Sequence, residues 1–336
     1  MRRLVSLVIL FSVCCAGSLS CGSEGNVTSE TLVERFFDKK RVTIAITDSG
    51  LGGLWIAADA VRKMEMHKIF EEADIVFYNA LFSKEGGYNS LGDRHEKIRI
   101  FDRALKGLED NYDPDLIIIG CNTLSAIYGE TDFAKRALMP VIGIVESGVD
   151  LIARNLNTVP GARVIIFGTQ TTIEEGIHAL KLTETGISPE RIIAQACPDL
   201  TEYIEKGYDS AETGMLIAAY VDEALEKMGN PPGPFFVSLN CTHYGYSMKL
   251  WEDAFKTLGA QPLAILNPNE ELLRFLFPRA PAERNEEPKI TVRVVSKVEI
   301  ERDRLESISG FIRRISPQTA EALLGYELRE DLFEGI

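Results

Sequence analysis

The chain has 336 residues, enough for two domains or one large one, and its composition is that of an ordinary globular protein, 45 % hydrophobic and 26 % charged. A net charge of −14 argues against a nucleic-acid surface and against electrostatic docking on anionic lipid. Small metabolites are the expected partners.

In chain order, Arg2 and Arg3 precede an apolar stretch, 4–16, that is too short to span a bilayer comfortably. Residues 1–20 therefore read as a signal peptide. The continuation Gly17-Ser18-Leu19-Ser20-Cys21 resembles the lipobox of bacterial lipoproteins, with Ser18 where an aliphatic residue is usual. That resemblance implies export, lipidation of Cys21, and membrane contact only through this anchor. Residues 21–40 then form a Gly/Ser-rich tether and a leading helix over 31–40.

Of the six cysteines, Cys14, Cys15 and Cys21 belong to the leader, which leaves Cys121, Cys197 and Cys241. An odd, widely spaced set is no disulfide framework. Thiols kept free in an oxidising compartment suggest use.

From residue 41 onward, short β-branched runs alternate with amphipathic stretches of helix length. The runs 42–46, 74–78, 115–119, 141–145, 163–167, 191–194 and 235–239 are nearly unalternating, as strands covered on both faces must be. The pattern predicts an α/β fold with mainly parallel sheets. It also repeats: "VTIAITDSG" is followed by "DLIIIGCNT", and "RVIIFGTQT" by "FFVSLNCTH". Asp48 to Cys121 is 73 residues, and Thr169 to Cys241 is 72. Two pseudo-symmetric lobes follow, each a parallel sheet flanked by helices, with the active site in the cleft between them. Lobe 1 takes 41–145 plus 260–336, because "KITVRVVS" (289–296) and a helix over 303–314 need a sheet to join; lobe 2 takes 146–259.

Ligands of such sheets sit at the carboxyl ends of the strands. There Cys121 and Cys241 each end a strand and lead into a helix, whose N-terminus favours thiolate over thiol. A lone cysteine is more often core packing, and Cys197 in "QACPDL" is read that way. Zinc would need paired ligands, and Cys241 with His243 is the only close pair, so no metal is expected. The glycines of "DSGLGGLW" fit neither a dinucleotide nor a P-loop pattern and read as a tight strand-to-helix turn. Its Asp48, at the mouth of an apolar strand, needs a partner. His243, two residues from a thiol, suits proton transfer. His67, His95 and His178 lack such company, and Glu205 reads as a helix-face residue.

Together Asp48-Ser49-Gly50-Leu51-Gly52-Gly53, Cys121-Asn122-Thr123 and Cys241-Thr242-His243-Tyr244 resemble the motifs of the aspartate/glutamate racemase superfamily, glutamate racemases most closely. The segments "PVIGIVESG" and "ACPDLTEYIEKG" stand in the family's order. The resemblance implies an amino acid, glutamate or aspartate, held between two lobes without cofactor or metal; a homodimer is admitted but not required. It assigns Cys121 and Cys241 as acid/base thiols, assisted by Asp48 and by His243 respectively, with Glu205 as a further acidic residue. Ser49, Tyr88, Asn89, Asn122, Thr123 and Thr242 fall where the family grips substrate. Two departures concern specificity: the family's Pro-Tyr-Gly turn is Gly87-Tyr88-Asn89 here, and the Gly before the second cysteine is Asn240. The competing functions are hydantoin racemisation, maleate isomerisation, and amino-acid capture by a tethered two-lobed receptor without turnover.

Overall fold

A computed structural model describes residues 29–84, 86–229, 233–277 and 287–335, so the leader, Cys21 and most of the tether lie outside the described residues. The first half runs α1 (Ser29–Asp38), β1 (Arg41–Asp48), α2 (Leu54–His67), β2 (Glu72–Asn79), α3 (Arg94–Tyr112), β3 (Leu116–Ile119), α4 (Asn122–Ile127), α5 (Asp132–Arg136) and β4 (Val141–Gly143). The second half runs α6 (Ile144–Thr158), β5 (Arg163–Gly168), α7 (Gln170–Glu175), α8 (Ile177–Glu184), β6 (Ile192–Ala196), α9 (Leu200–Lys206), α10 (Ala211–Met228), β7 (Phe235–Asn240), α11 (Met248–Thr257) and β8 (Ile265–Leu266). A C-terminal arm adds α12 (Pro268–Leu272), β9 (Lys289–Ser296), α13 (Arg302–Ile312), α14 (Pro317–Leu324) and β10 (Glu327–Leu328).

Every strand pairing is parallel, in two sheets of order β10-β9-β2-β1-β3-β4 and β6-β5-β7-β8. The stretches β2-β1-β3-β4 and β6-β5-β7-β8 have the same order, so the internal repetition of the sequence corresponds to a repeated topology. In both, chain direction across the sheet reverses at the first strand, between β1 and β3 and between β5 and β7. Such reversals leave a crevice at the strands' carboxyl ends. Strands this apolar, "LIII" in β3 above all, require cover on both faces. One hydrophobic cluster supplies it for both sheets at once, joining Ile44 and Ile46 of the first to Ile165 and Phe167 of the second; separate clusters cover each outer face.

Three boundaries differ from the sequence-based expectation. The strand expected over 141–145 stops at Gly143, because Ile144 opens α6, which puts the 145/146 lobe boundary in the first turn of that helix. Val145 and Val149 face the outer core of the second sheet, so α6 packs with lobe 2. The strand expected from 191 begins at Ile192, after a 3₁₀ turn over Pro189–Arg191. Residues after 259 do not all return to the first sheet: Ile265 and Leu266 pair with Val237 and Ser238 of β7. A two-residue strand has no periodicity to reveal it. The arm's other strands do join the first sheet, β9 along the whole of β2 and β10 outside it.

Trp251 of α11 anchors the inner core. Its ring is fully buried against Phe167, at 4.6 Å between centroids, and its Nε1–H donates to the Tyr244 carbonyl at 3.2 Å. It therefore braces the turn that carries Thr242 and His243. Trp251→Ala is expected to lower unfolding free energy by about 3–5 kcal/mol, read as an earlier urea midpoint at unchanged m-value.

Candidate active site

The crevices of the two sheets face one another, and the turn after each central strand delivers polar groups to the seam. After β1 the chain turns through Ser49–Gly53 into α2. Gly52 lies so close to the other lobe that a Cβ there would stand 2.3 Å from Thr242 Oγ1 and 2.8 Å from the His243 backbone nitrogen, which only glycine avoids. The Tyr246 hydroxyl closes the turn, donating toward the Leu51 and Gly52 carbonyls at 2.9 and 3.1 Å and accepting from Trp55 N–H at 3.2 Å.

Cys121 is the N-cap of α4 and Cys241 the N-cap of a 3₁₀ segment, Thr242–Ser247, that precedes α11. Both are buried, at 6 % and 7 % exposure, and both are free thiols, as is Cys197 in the inner core. Around Cys121, Ser49 Oγ lies 3.2 Å from Sγ. Asp48 accepts from Ser49 N–H at 2.6 Å and, across the seam, from the Thr242 hydroxyl at 2.7 Å. Burial lifts the Asp48 carboxyl above its usual range, against the pull of His243's charge and these two hydrogen bonds.

Around Cys241, His243 Nδ1 lies 3.7 Å from Sγ while Nε2 donates to Glu205 Oε1 at 2.7 Å. The same oxygen accepts from Leu51 N–H at 2.9 Å, and Glu205 Oε2 accepts from Arg304 of α13 at 2.7 Å. Burial alone would raise Glu205 and neutralise His243, but each stabilises the other's charge. Glu205 falls to about 2 and His243 rises well above the ordinary imidazole value. The Cys241 side thus carries an imidazolium, braced by a carboxylate and a guanidinium.

The expectation that helix N-termini lower both thiol pKa values fails at Cys121. Burial, followed by repulsion from Asp48, drives this thiol far above its ordinary value, and the contact with Ser49 offsets only part of the rise. One turn of helix dipole cannot match the loss of hydration. The two sulfurs consequently differ in charge environment: Cys121 sits beside a carboxylate and Cys241 beside a cation.

Of the other residues singled out from sequence, Asn122, Thr123 and Thr242 line the seam and are buried. Thr123 Oγ1 meets Thr172 and Thr169 across the lobes at 3.1 and 3.4 Å. Tyr88 is buried with its hydroxyl unpartnered, and its ring lies edge-on to Phe82 and Phe101. Asn89, next to it, is exposed. Glu205 is a buried hub of the site, where its helix-face setting had suggested solvation. Sequence reasoning missed Arg304, and it missed His178, buried with Nε2 3.1 Å from Asn122 Oδ1 and held neutral by burial, its pKa down to about 4. His178 lies 56 residues from Asn122, so no local pattern joins the two. Among the described residues no cluster of three His, Cys, Asp or Glu could hold a metal ion, and no helix is long and apolar enough to cross a membrane.

The two-lobed α/β scaffold thus brings a thiol from each half to one seam. Residues 82–257 match the Asp/Glu/Hydantoin racemase family model, and the chain belongs to that family. A relative named glutamate racemase 3, from Caldanaerobacter subterraneus subsp. tengcongensis, is 30 % identical over 237 residues, covering 70 % of this chain and 78 % of the relative. Glutamate racemase of Nitratiruptor is 26 % identical over 69 % of this chain and 81 % of its own. In fold, the chain is similar to Francisella tularensis glutamate racemase, solved with D-glutamate, at TM-score 0.60 and 21 % identity over 81 % of this chain and 94 % of that one. The chain is thus an isomerase of the racemase type.

The charged pair yields a pH prediction. The depressed Glu205 contributes stability that is fully present above the unfolded carboxyl range and is lost as pH falls toward 2. His243, raised, contributes below its unfolded value and loses that contribution as pH rises through its folded one. Glu205→Gln should therefore flatten the fall of stability between about pH 5 and pH 2 and move the His243 limb of the activity profile to lower pH. Urea midpoints across pH, paired with pH–rate profiles, check both.

Proposed function

We propose that the chain is a cofactor-independent glutamate racemase working through two thiols. The observation that carries this reading is the placement of Cys121 and Cys241 after equivalent strands, β3 and β7, of two sheets with the same strand order. Relatives named as glutamate racemases support the substrate.

Removing an α-proton from one face and returning one to the other needs either a base that swings or two groups on opposite sides. Cys241, as thiolate beside the His243 imidazolium, takes the α-proton; Cys121, kept as a thiol by burial and Asp48, donates its proton to the opposite face. The C–H bond breaks on one side and forms on the other. The enzyme is left with the two sulfurs' protonation states exchanged, ready for the reverse direction. The intervening carbanion is stabilised by donors at the carboxylate, drawn from Asn122, Thr123, Thr242 and Ser49, in a seam from which water is excluded. Asp48 receives the ammonium group.

Cys121→Ala and Cys241→Ala are each expected to abolish racemisation of L- and D-glutamate, followed by optical rotation. Exchange of the α-proton with deuterated water, read by proton NMR, should survive in at most one direction per variant. Full racemisation by either variant would end the two-thiol reading. Tight glutamate binding by the wild type with no exchange at all would favour a receptor instead.

The leader supports a second part of the proposal: the mature chain begins at Cys21, carries a lipid there and works on the outer side of the membrane it crosses. Mass spectrometry of the mature N-terminus is expected to find diacylglycerol on Cys21. A mature chain that begins elsewhere, or carries no lipid, rules this part out.

A further inference from the structure

Lys97, in the first turn of α3, is 7 % exposed. Burying an ammonium without a countercharge is costly, so buried lysines are almost always paired. Among the described residues Lys97 makes no ion pair, and its Nζ has one hydrogen-bond partner, the Thr171 hydroxyl of α7 at 3.2 Å. The nearby acids are already committed to Arg94, one turn back on α3. Glu130 holds that guanidinium through both its oxygens at 2.6 Å, and Glu175 holds it at 2.8 Å.

Lys97 also stands where the two lobes meet, reaching from α3 of the first to α7 of the second. Thr171 belongs to the same turn as Thr172, whose hydroxyl meets Thr123, and Thr123 follows Asn122 and Cys121 directly. α3 packs on α4, and α4 on α7. Two other buried groups on this side, Asn122 Nδ2 and the Tyr88 hydroxyl, have no partner among the described residues. The surroundings offer donors and a cation in excess of acceptors, the complement of an anion.

We propose that Lys97 receives the distal carboxylate of an acidic amino acid whose α-carbon lies between the two thiols, making it the residue that selects a dicarboxylic substrate. This rests on the racemase reading above and deepens it. Asn122, Thr123 and Thr242 hold the α-carboxylate, and Lys97 neutralises the second carboxylate that a neutral amino acid lacks. A neutral substrate leaves the ammonium buried without a countercharge, which is how the site rejects it.

The test compares wild type, Lys97→Met, which keeps the apolar stem, and Lys97→Arg, which keeps the charge. Exchange of the α-proton in deuterated water is measured on glutamate and on glutamine. Lys97→Met should raise KM for glutamate by about 30–100-fold, with kcat changed less, and lower the glutamate-to-glutamine preference by a similar factor. Lys97→Arg should recover much of both. Lys97→Gln, which retains a donor toward Thr171, keeps the test open should the methionine variant fail to fold; it should lose glutamate preference all the same. A KM for glutamate within threefold of wild type, or equal losses on both substrates, overturns the role of Lys97 alone. Wild-type exchange of neutral amino acids and not of glutamate overturns the glutamate reading, and Lys97's role with it.

Discussion

The carboxylate of Glu205 is where three separate parts of the chain are tied together. One oxygen takes the Leu51 amide of the glycine turn and the His243 ring; the other takes the guanidinium of Arg304. A carboxylate buried this deeply survives only with its lone pairs filled and opposite charge close by, and it has both. Breaking the group from any side strands a buried charge, so the glycine turn of one lobe, the histidine of the other and the C-terminal arm hold their positions together. The distinct surroundings of the two sulfurs depend on this arrangement, since without it the imidazole beside Cys241 would lose its charge.

The hydrogen bond from Thr242 to Asp48 makes the second tie across the seam. It brings the carboxylate of one lobe toward the threonine that follows the other lobe's cysteine, and the two half-sites become a single polar layer between apolar sheets. The inner core, continuous from β1 to β5, backs that layer with apolar side chains. Both thiols are largely withdrawn from solvent, which also limits oxidant access to either.

Much of this was legible in the sequence. Unalternating β-branched runs located β1 to β7, and the motifs that follow them put Asp48, Cys121, Cys241 and His243 at the strands' carboxyl ends, where the parallel topology brings them face to face. What local patterns could not convey is depth. At Cys121 the short helix is visible in the sequence, but burial beside Asp48, which outweighs its dipole, is not. Arg304 stands 99 residues from Glu205 and Lys97 lies 74 from Thr171; neither has a sequence neighbour that announces its partner. Asn89, placed in the site by a motif the chain only half keeps, is exposed.

The order in which the chain is made matters for Arg304. Synthesis proceeds from the N-terminus, so both cysteines, the histidine and its carboxylate emerge long before the guanidinium that completes their charge balance. A chain whose arm has not yet docked holds Glu205 with one oxygen lacking its guanidinium. The site is complete only when the arm packs over the seam.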